Sequence, residues 1–448
     1  MSSLTEAKGL ARQLGLFGTT MAVMGGIIGA GIFINPYIVA QRVHTPALIL
    51  GVWVVGGLIA LAGGFIYAEL AARLPVVGGQ YAYLRDAFHP AVAFIYGWVL
   101  LLVIQTGGMA AVAVTFARYF LELTHWPIND SVVAATALGL LTAINCAGVR
   151  AGSRVQSILT LTAIGAIGVL EAFSFSRGTS QISWQPVLDK PVDVDLALTF
   201  GSAMTPVLFA YGGWQTSSFL GGEVRDARRI LPRALILGVI GVIVVYTSVN
   251  FVYLRALGPE GLAGSTTPAS SMMRALLGPA GAQFIAAGIA FSAFGFLAQS
   301  MLTAPRVYFA MAEDGVFFRS VARVHPRTHA PVVAIILQGA WAIAIALTGT
   351  YAQVINYVIA MDCIFFGLTA ACLFVLRRRA RQDSEPVNFR VPGHPWTTLL
   401  FIAANWAVVA STFIHDPMRS FIGLGIAIAG LPAYLLWRHR STAFSATD

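Results

Sequence analysis

Stretches of about 20 apolar residues, each long enough to cross a hydrocarbon core of roughly 30 Å, recur from one end of this chain to the other. Soluble domains carry about 25% charged residues. Here 10% are charged and 57% are hydrophobic, with a mean hydropathy of +0.76. Such a chain has no surface to show to water. The runs are rich in Ala, Leu, Ile and Gly and do not alternate apolar with polar, so they satisfy their backbone as helices, not as barrel strands. The fold class is an all-α integral membrane protein.

The runs predict twelve spans, at about 16–41, 47–72, 90–121, 131–148, 153–175, 196–220, 234–256, 281–311, 331–348, 352–376, 396–413 and 418–437. The connections alternate in charge. Arginines follow the even spans: Arg73 and Arg85, then Arg150 and Arg154, then Arg225, Arg228, Arg229 and Arg233. The series continues with Arg319, Arg323 and Arg327, then Arg377, Arg378, Arg379, Arg381 and Arg390, then Arg438 and Arg440. The opposite loops are Arg-poor, and the longest sets Asp189, Asp193 and Asp195 against Arg177 and Lys190. The positive-inside rule places both termini in the cytoplasm of a cell (inner) membrane protein. The N-terminus, with Lys8 and Arg12, lacks the pattern of a cleavable signal. The net charge of +9 is spread over short loops, which argues against a nucleic-acid partner. Cys146, Cys363 and Cys372 all lie in apolar runs, so no disulfide framework is expected.

Two spans are interrupted. The first holds Gly25-Gly26-Ile27-Ile28-Gly29-Ala30-Gly31-Ile32-Phe33, with Pro36 after it. Each of its four glycines costs about 1 kcal/mol relative to Ala in a helix interior. A single packing contact does not need four, although Gly25 and Gly29 alone fit helix–helix packing. An unwound stretch does need them. Its freed N–H groups, at the start of a second half-helix, would face a cavity and favour a carboxylate. The sixth span holds Phe209-Ala210-Tyr211-Gly212-Gly213-Trp214-Gln215, between Pro206 and Gly221-Gly222-Glu223. Carbonyls freed there suit an ammonium, and Phe209 is placed to cover a ligand; simple aromatic packing is the other reading. The breaks are five spans apart and enter from opposite sides. This is the pattern of two inverted five-helix repeats plus two helices. The expected organisation is one transmembrane domain over 1–437, with repeats at about 14–175 and 196–378, extra helices at about 396–437, and a cytoplasmic tail at 438–448.

GGIIGAGIF, FAYGGW and the stretch from Ala68-Glu69-Leu70 to Tyr83-Leu84-Arg85 resemble the amino acid–polyamine–organocation (APC) superfamily, most closely the L-type amino acid transporter branch. The resemblance implies a LeuT-type fold, alternating access and an α-amino acid substrate. It implies that backbone groups of Ile27, Ile28, Gly29, Ala30 and Gly31 bind the carboxylate, and that Phe209, Ala210 and Tyr211 carbonyls bind the amino group. Gly212 and Gln215 would complete the site, with Phe209 as the gate. Several features depart from the pattern. No Lys occupies the span-five region Arg154–Ala163, since the chain has only Lys8 and Lys190, so a Lys-based proton relay is not expected. No Cys lies between spans three and four, so no disulfide-linked heavy chain is expected. Val224-Arg225 stands where the family has Asn-Pro. For sodium, Ser292 followed by Ala293 is a thin ligand set.

Asp362 is the acid deep in an apolar run, and placing it there costs about 2.5–3.5 kcal/mol on insertion scales. It is either a proton-binding or gating group or a structural acid bonded to hydroxyls or backbone. Glu69 and Glu223, at span ends, either pair with arginines such as Arg73 or Arg229 as an inner gate or are solvated. No Walker motif and no metal-ligand spacing of histidines occurs, so neither ATP drive nor a cofactor is expected. The expected activity is secondary transport of neutral L-amino acids by sodium-independent exchange or facilitation. A proton-coupled, cationic amino acid or polyamine transporter of the same fold, an amino-acid-sensing receptor and a membrane enzyme are the alternatives.

Overall fold

The computed structural model describes residues 12–176, 182–188, 191–348, 351–380, 388–415 and 417–445. Lys8, Arg177, Asp189, Lys190 and Arg381 lie outside the described residues. Among those described, every regular element is helical. The first span is two half-helices, α1 (Leu16–Ile27) and α2 (Gly31–Arg42), bent by 42° across Ile28-Gly29-Ala30. The long helix α3 (Pro46–Arg73) and the short helix α4 (Gln80–Ala87) follow. The third span is α5 (Pro90–Val99) and α6 (Gln105–Thr124), joined by a π-helical turn at Leu100–Ile104. Next come α7 (Asp130–Cys146), α8 (Val149–Ser176) and α9 (Val194–Tyr211), which ends at the second break.

After that break, α10 (Ala227–Ala263) and α11 (Pro268–Thr303) follow. They kink at Gly258 and Gly278, whose φ of 68° and 70° only glycine adopts without strain. The chain continues through α12 (Pro305–Glu313), α13 (Val332–Thr348), α14 (Tyr351–Ala380), α15 (Trp396–His415) and α16 (Pro417–Ser445). Among the described residues, nine helices are long and apolar enough to cross a membrane, and the bent pair α1–α2 makes ten. α7 and α13, each 17 residues and apolar, stand where spans four and nine were expected.

Burial sorts the helices. The third and eighth spans are 72% and 78% buried along their apolar windows, whereas the last two are 28% buried. The former are therefore central and the latter peripheral. Peripheral faces carry Leu58, Ile158 and Val244, which are exposed as lipid contact requires.

The Arg-rich ends are tied together. Gln13 and Leu14 N–H donate to the Glu223 carbonyl at 2.9 and 3.0 Å, and Arg225 N–H returns to the Leu14 carbonyl at 2.9 Å. Gly78 N–H donates to the Phe219 carbonyl at 3.1 Å. The approaches to the first and sixth spans and the loop after α3 thus share one backbone network.

Candidate functional site

The two breaks touch. A Cβ added at Gly213 would lie 1.9 Å from the Gly26 carbonyl oxygen, and one added at Gly26 would lie 2.7 Å from the Gly213 oxygen. Backbone packs on backbone at this crossing, and Gly213 also has φ 102°. No other residue type fits there.

A cavity of about 470 Å³ lies beside this crossing. Its walls include Ile27, Gly29, Ala30 and Gly31 from the first break and Phe209, Ala210, Tyr211, Gly212 and Gln215 from the second. Of the predicted substrate residues, Ile28 is the one set back from the cavity. Its side chain is buried in the core, and its N–H closes α1 on the Met24 carbonyl at 2.7 Å. Trp214 closes the floor, stacked on Phe366 at 5.6 Å and edge-on to Tyr67 at 4.8 Å. The opposite end, toward the Arg-poor loops, is walled by Ile38, Arg42, Thr115 and Thr205. Phe209, more than a third exposed, stands on the cavity wall without covering it.

The ends of the half-helices differ in what they offer. α2 starts at Ala30 with no side-chain cap, so its first N–H groups and the positive end of its dipole are turned to the cavity. At the carbonyl end of α1, Met24 accepts from the Ile28 N–H at 2.7 Å and Ile27 accepts from another helix. Tyr246 donates its hydroxyl to the Ile27 carbonyl at 2.9 Å and reaches the Ala210 carbonyl at 3.4 Å. Farther back, inside α1, Gln156 donates to the Met21 carbonyl at 2.7 Å and Gln299 to the Ala22 carbonyl at 2.9 Å. Ser292 stands 3.5 and 3.4 Å from the Ile28 and Gly29 carbonyls, a single hydroxyl with Ala293 beside it.

The second break is closed by its own residues. Gly212 N–H returns to the Phe209 carbonyl at 3.1 Å, Gly213 N–H donates to Gln215 Oε1 at 3.0 Å, and Thr216 Oγ1 donates to the Gly213 carbonyl at 2.7 Å. Gln215 therefore braces the turn as well as lining the cavity. Pro206 has no N–H to give the carbonyl four residues back, at Ser202. The Arg42 guanidinium takes that carbonyl instead, tying the outer end of α2 to α9. Asn35 adds a bond to the Pro206 carbonyl at 2.7 Å.

One expected ion pair needs correction and another gains partners. Glu223 does not pair with Arg229, which sits 3.7 Å from Asp226. It pairs with Arg306 at 2.6 Å, and both side chains are almost fully buried, because α12 brings Arg306 under the second break. Glu69 does pair with Arg73, at 2.7 Å, but it also takes Arg377 at 2.6 Å and the Val391 N–H at 2.7 Å. It is thus a buried knot between α3 and α14, not a solvated end charge. Arg42 and Asp362 both line the cavity, so it carries fixed charge. The polar residues Gln105, Asn35 and Asn405 on its wall and the braces Tyr246 and Gln299 were not singled out from sequence. Glutamines inside apolar runs were the available signal for Gln105, Gln156 and Gln299.

The arrangement presents backbone donors at one half-helix start and carbonyls at one half-helix end, across one cavity. That pair of poles suits a small zwitterion. Among the described residues, no cluster of three or more His, Cys, Asp or Glu could hold a metal ion.

The family model described as "Amino acid permease" matches residues 14–431. The chain is similar to the "Serine/threonine exchanger SteT" of Bacillus subtilis (strain 168), with 32% identity over 446 residues, covering 98% of this chain and 100% of that protein. It is 31% identical over 451 residues to the human "Large neutral amino acids transporter small subunit 2", covering 97% of this chain and 83% of the relative. It is 30% identical over 457 residues to the human "Asc-type amino acid transporter 1", covering 97% and 84%.

Proposed function

The chain belongs to the amino acid permease family, within the APC superfamily, and from that premise we propose that it exchanges neutral L-amino acids across the cell membrane by alternating access. Membership makes it a multi-pass membrane transporter and not an enzyme. The substrate's carboxylate is held by the N–H groups of Gly29, Ala30 and Gly31, with Ile27 alongside and Ile28 holding the backbone. Its ammonium is held by the carbonyls of Phe209, Ala210 and Tyr211. The observation that carries this reading is the uncapped start of α2 facing the end of α9 over a shared cavity.

The remaining assignments belong to the same proposal. Twelve spans form two inverted repeats plus two helices, and both termini are cytoplasmic. On that topology the tied, Arg-rich face is cytoplasmic and closed, and the cavity opens outward. Phe209 swings over bound substrate. The Glu223–Arg306 and Glu69–Arg377 pairs are inner-gate contacts that part when the cytoplasmic side opens. Ser292 alone supports sodium poorly, so exchange is sodium-independent.

Purified protein in proteoliposomes tests this reading. Uptake of a labelled neutral amino acid should require an amino acid inside and should be unchanged when sodium is replaced by choline. Uptake from empty vesicles driven by an imposed pH gradient would contradict exchange. Asp362 on the cavity wall favours a second reading, in which the same fold carries protons or cationic substrates; the pH gradient and a lysine competition assay decide it.

A further inference from the structure

Away from the cavity, α8 and α10 meet at one end and part at the other. Far from the Arg-rich face they touch. Ser248 donates to Glu171 Oε1 at 2.6 Å, Phe175 stacks on Phe251 at 6.3 Å, and the Arg255 guanidinium lies 5.1 Å over the Phe175 ring. The stripe of α10 that makes these contacts runs back at helical spacing through Val244, Ile240 and Leu237 to Arg233. All four of these residues are exposed. The facing stripe of α8 runs back from Phe175 and Glu171 through Gly168, Ile164 and Leu161 to Arg154 and Arg150. Gly168, Leu161 and both arginines are exposed. Two faces that join at one end and stay open at the other bound a cleft.

α1 is the floor of that cleft. A Cβ added at Gly18 would lie 3.6 Å from Ser153 Oγ on α8, and one added at Gly238 on α10 would meet Val23 at 2.5 Å and the Thr20 carbonyl at 3.5 Å. With those contacts on its two flanks, α1 turns the stripe Phe17, Met21 and Met24 into the opening between them. Phe17 is 61% exposed, and Met21 and Met24 keep 8% and 9% of their surface open. The same contacts put Phe17, Arg154 and Arg233 within about a helical turn of one depth. From Arg233 to Val244 the wall rises about 16 Å, which is one leaflet of a hydrocarbon core of about 30 Å.

The cleft is therefore apolar along its length and basic at its Arg-rich end. Arg150, Arg154 and Arg233 have no ion-pair partner among the described residues. Arginines collect on this face under the positive-inside rule in any case. What makes a site is the leaflet-deep groove that these three head. We propose that the cleft holds one anionic phospholipid of the cytoplasmic leaflet, its phosphate between Arg154 and Arg233 and an acyl chain along Leu161, Leu237 and Val244 over Phe17 and Met21. The choice of leaflet rests on the topology proposed above. Net negative charge on the headgroup answers the unpaired arginines, which a zwitterionic lipid does not. The lipid lies on α1, the half-helix that ends at the first break, and so supports it from the bilayer side.

Native mass spectrometry of the purified protein, titrated with phosphatidylglycerol and phosphatidylcholine in equal amounts, reads the site without transport. The wild type should retain one phosphatidylglycerol in preference to phosphatidylcholine by about tenfold or more. The double variant Arg154→Gln, Arg233→Gln should bring that ratio close to one. The double variant Arg323→Gln, Arg327→Gln, an equal loss of charge on the same Arg-rich face, should leave it unchanged. No preference in the wild type would overturn the proposal. Equal loss in both double variants would overturn it too, because the lipid would then be reading the field of the whole basic face. The second arm is trans-stimulated exchange of a neutral amino acid in phosphatidylcholine vesicles with and without phosphatidylglycerol. Added phosphatidylglycerol should speed the wild type several-fold and should not speed the Arg154→Gln, Arg233→Gln protein. An equal rise in both would contradict the site. Absence of exchange in every vesicle would instead remove the transport reading, and lipid retention would still decide this one.

Discussion

The first break is held from outside, whereas the second is held mostly from within, with Gln299 donating to Thr216 Oγ1 at 2.9 Å and Tyr246 reaching the Ala210 carbonyl at 3.4 Å from other helices. At the first, carbonyls of α1 are taken by Gln156 on α8, Tyr246 on α10 and Gln299 on α11. At the second, Phe209, Gly212, Gly213, Gln215 and Thr216 bond to one another over eight residues. The contrast has a mechanical consequence. α1 is tied to three other helices by single side-chain bonds, whereas most bonds of the second break lie within its own turn. It has a chemical consequence too, because Tyr246 takes the Ile27 carbonyl while the first N–H groups of α2 have no side-chain cap. The first break thus turns donors to the cavity.

Substitutions can break or sharpen that contrast. Gly213→Ala should have the largest effect. Its Cβ meets backbone of the first break, and its φ of 102° disfavours any L side chain. The expected cost is more than about 3 kcal/mol, seen as loss of monodisperse protein on size exclusion. If Gly213→Ala folds and transports normally, the breaks do not cross as described. Tyr246→Phe removes one hydroxyl that serves both breaks, and should lower stability by roughly 1–2 kcal/mol in a thermal unfolding assay. Gln215→Leu, confined to the second break, should cost no more than that. If it costs clearly more, the self-contained turn matters beyond its own bonds.

Phe209→Ala should slow exchange by about tenfold while weakening binding much less, since a gate acts on closure and not on the bound contacts. Parallel losses in flux and affinity would make Phe209 part of the wall only. Gly29→Ala should be the mildest for the fold. The nearest atoms to a Cβ there belong to Phe296, at an ordinary 3.5 Å, so stability should change by less than about 0.5 kcal/mol. Any loss of affinity in that variant then reports on the approach of ligand to backbone.

Much of this was legible in the sequence because membranes punish irregular backbone. Four glycines near Gly29 and the Pro206/Gly212/Gly213 set stand out in apolar runs, and nine of the ten residues predicted at the site line one cavity. What could not be read was long-range partnership. That Arg306 meets Glu223, or that Tyr246 bridges Ile27 and Ala210, depends on how α10 and α12 pack, which no local pattern encodes. The π-helical turn before Gln105 has no glycine or proline to announce it, so the aim of that side chain was hidden. Asp362 was visible as an anomaly, and its freedom from internal partners needed coordinates.

The central claim is that the two breaks together hold the two charged ends of an amino acid. Competition binding to the purified protein tests it most directly, with labelled L-threonine displaced by L-threonine, by the amine that lacks its carboxylate, or by the acid that lacks its amino group. The amino acid alone should compete, with each truncated analogue weaker by about a hundredfold or more, since each leaves one pole unpaired. If the amine competes as well as threonine, the N–H groups of Gly29, Ala30 and Gly31 are not the carboxylate site, and the account of the first break is wrong.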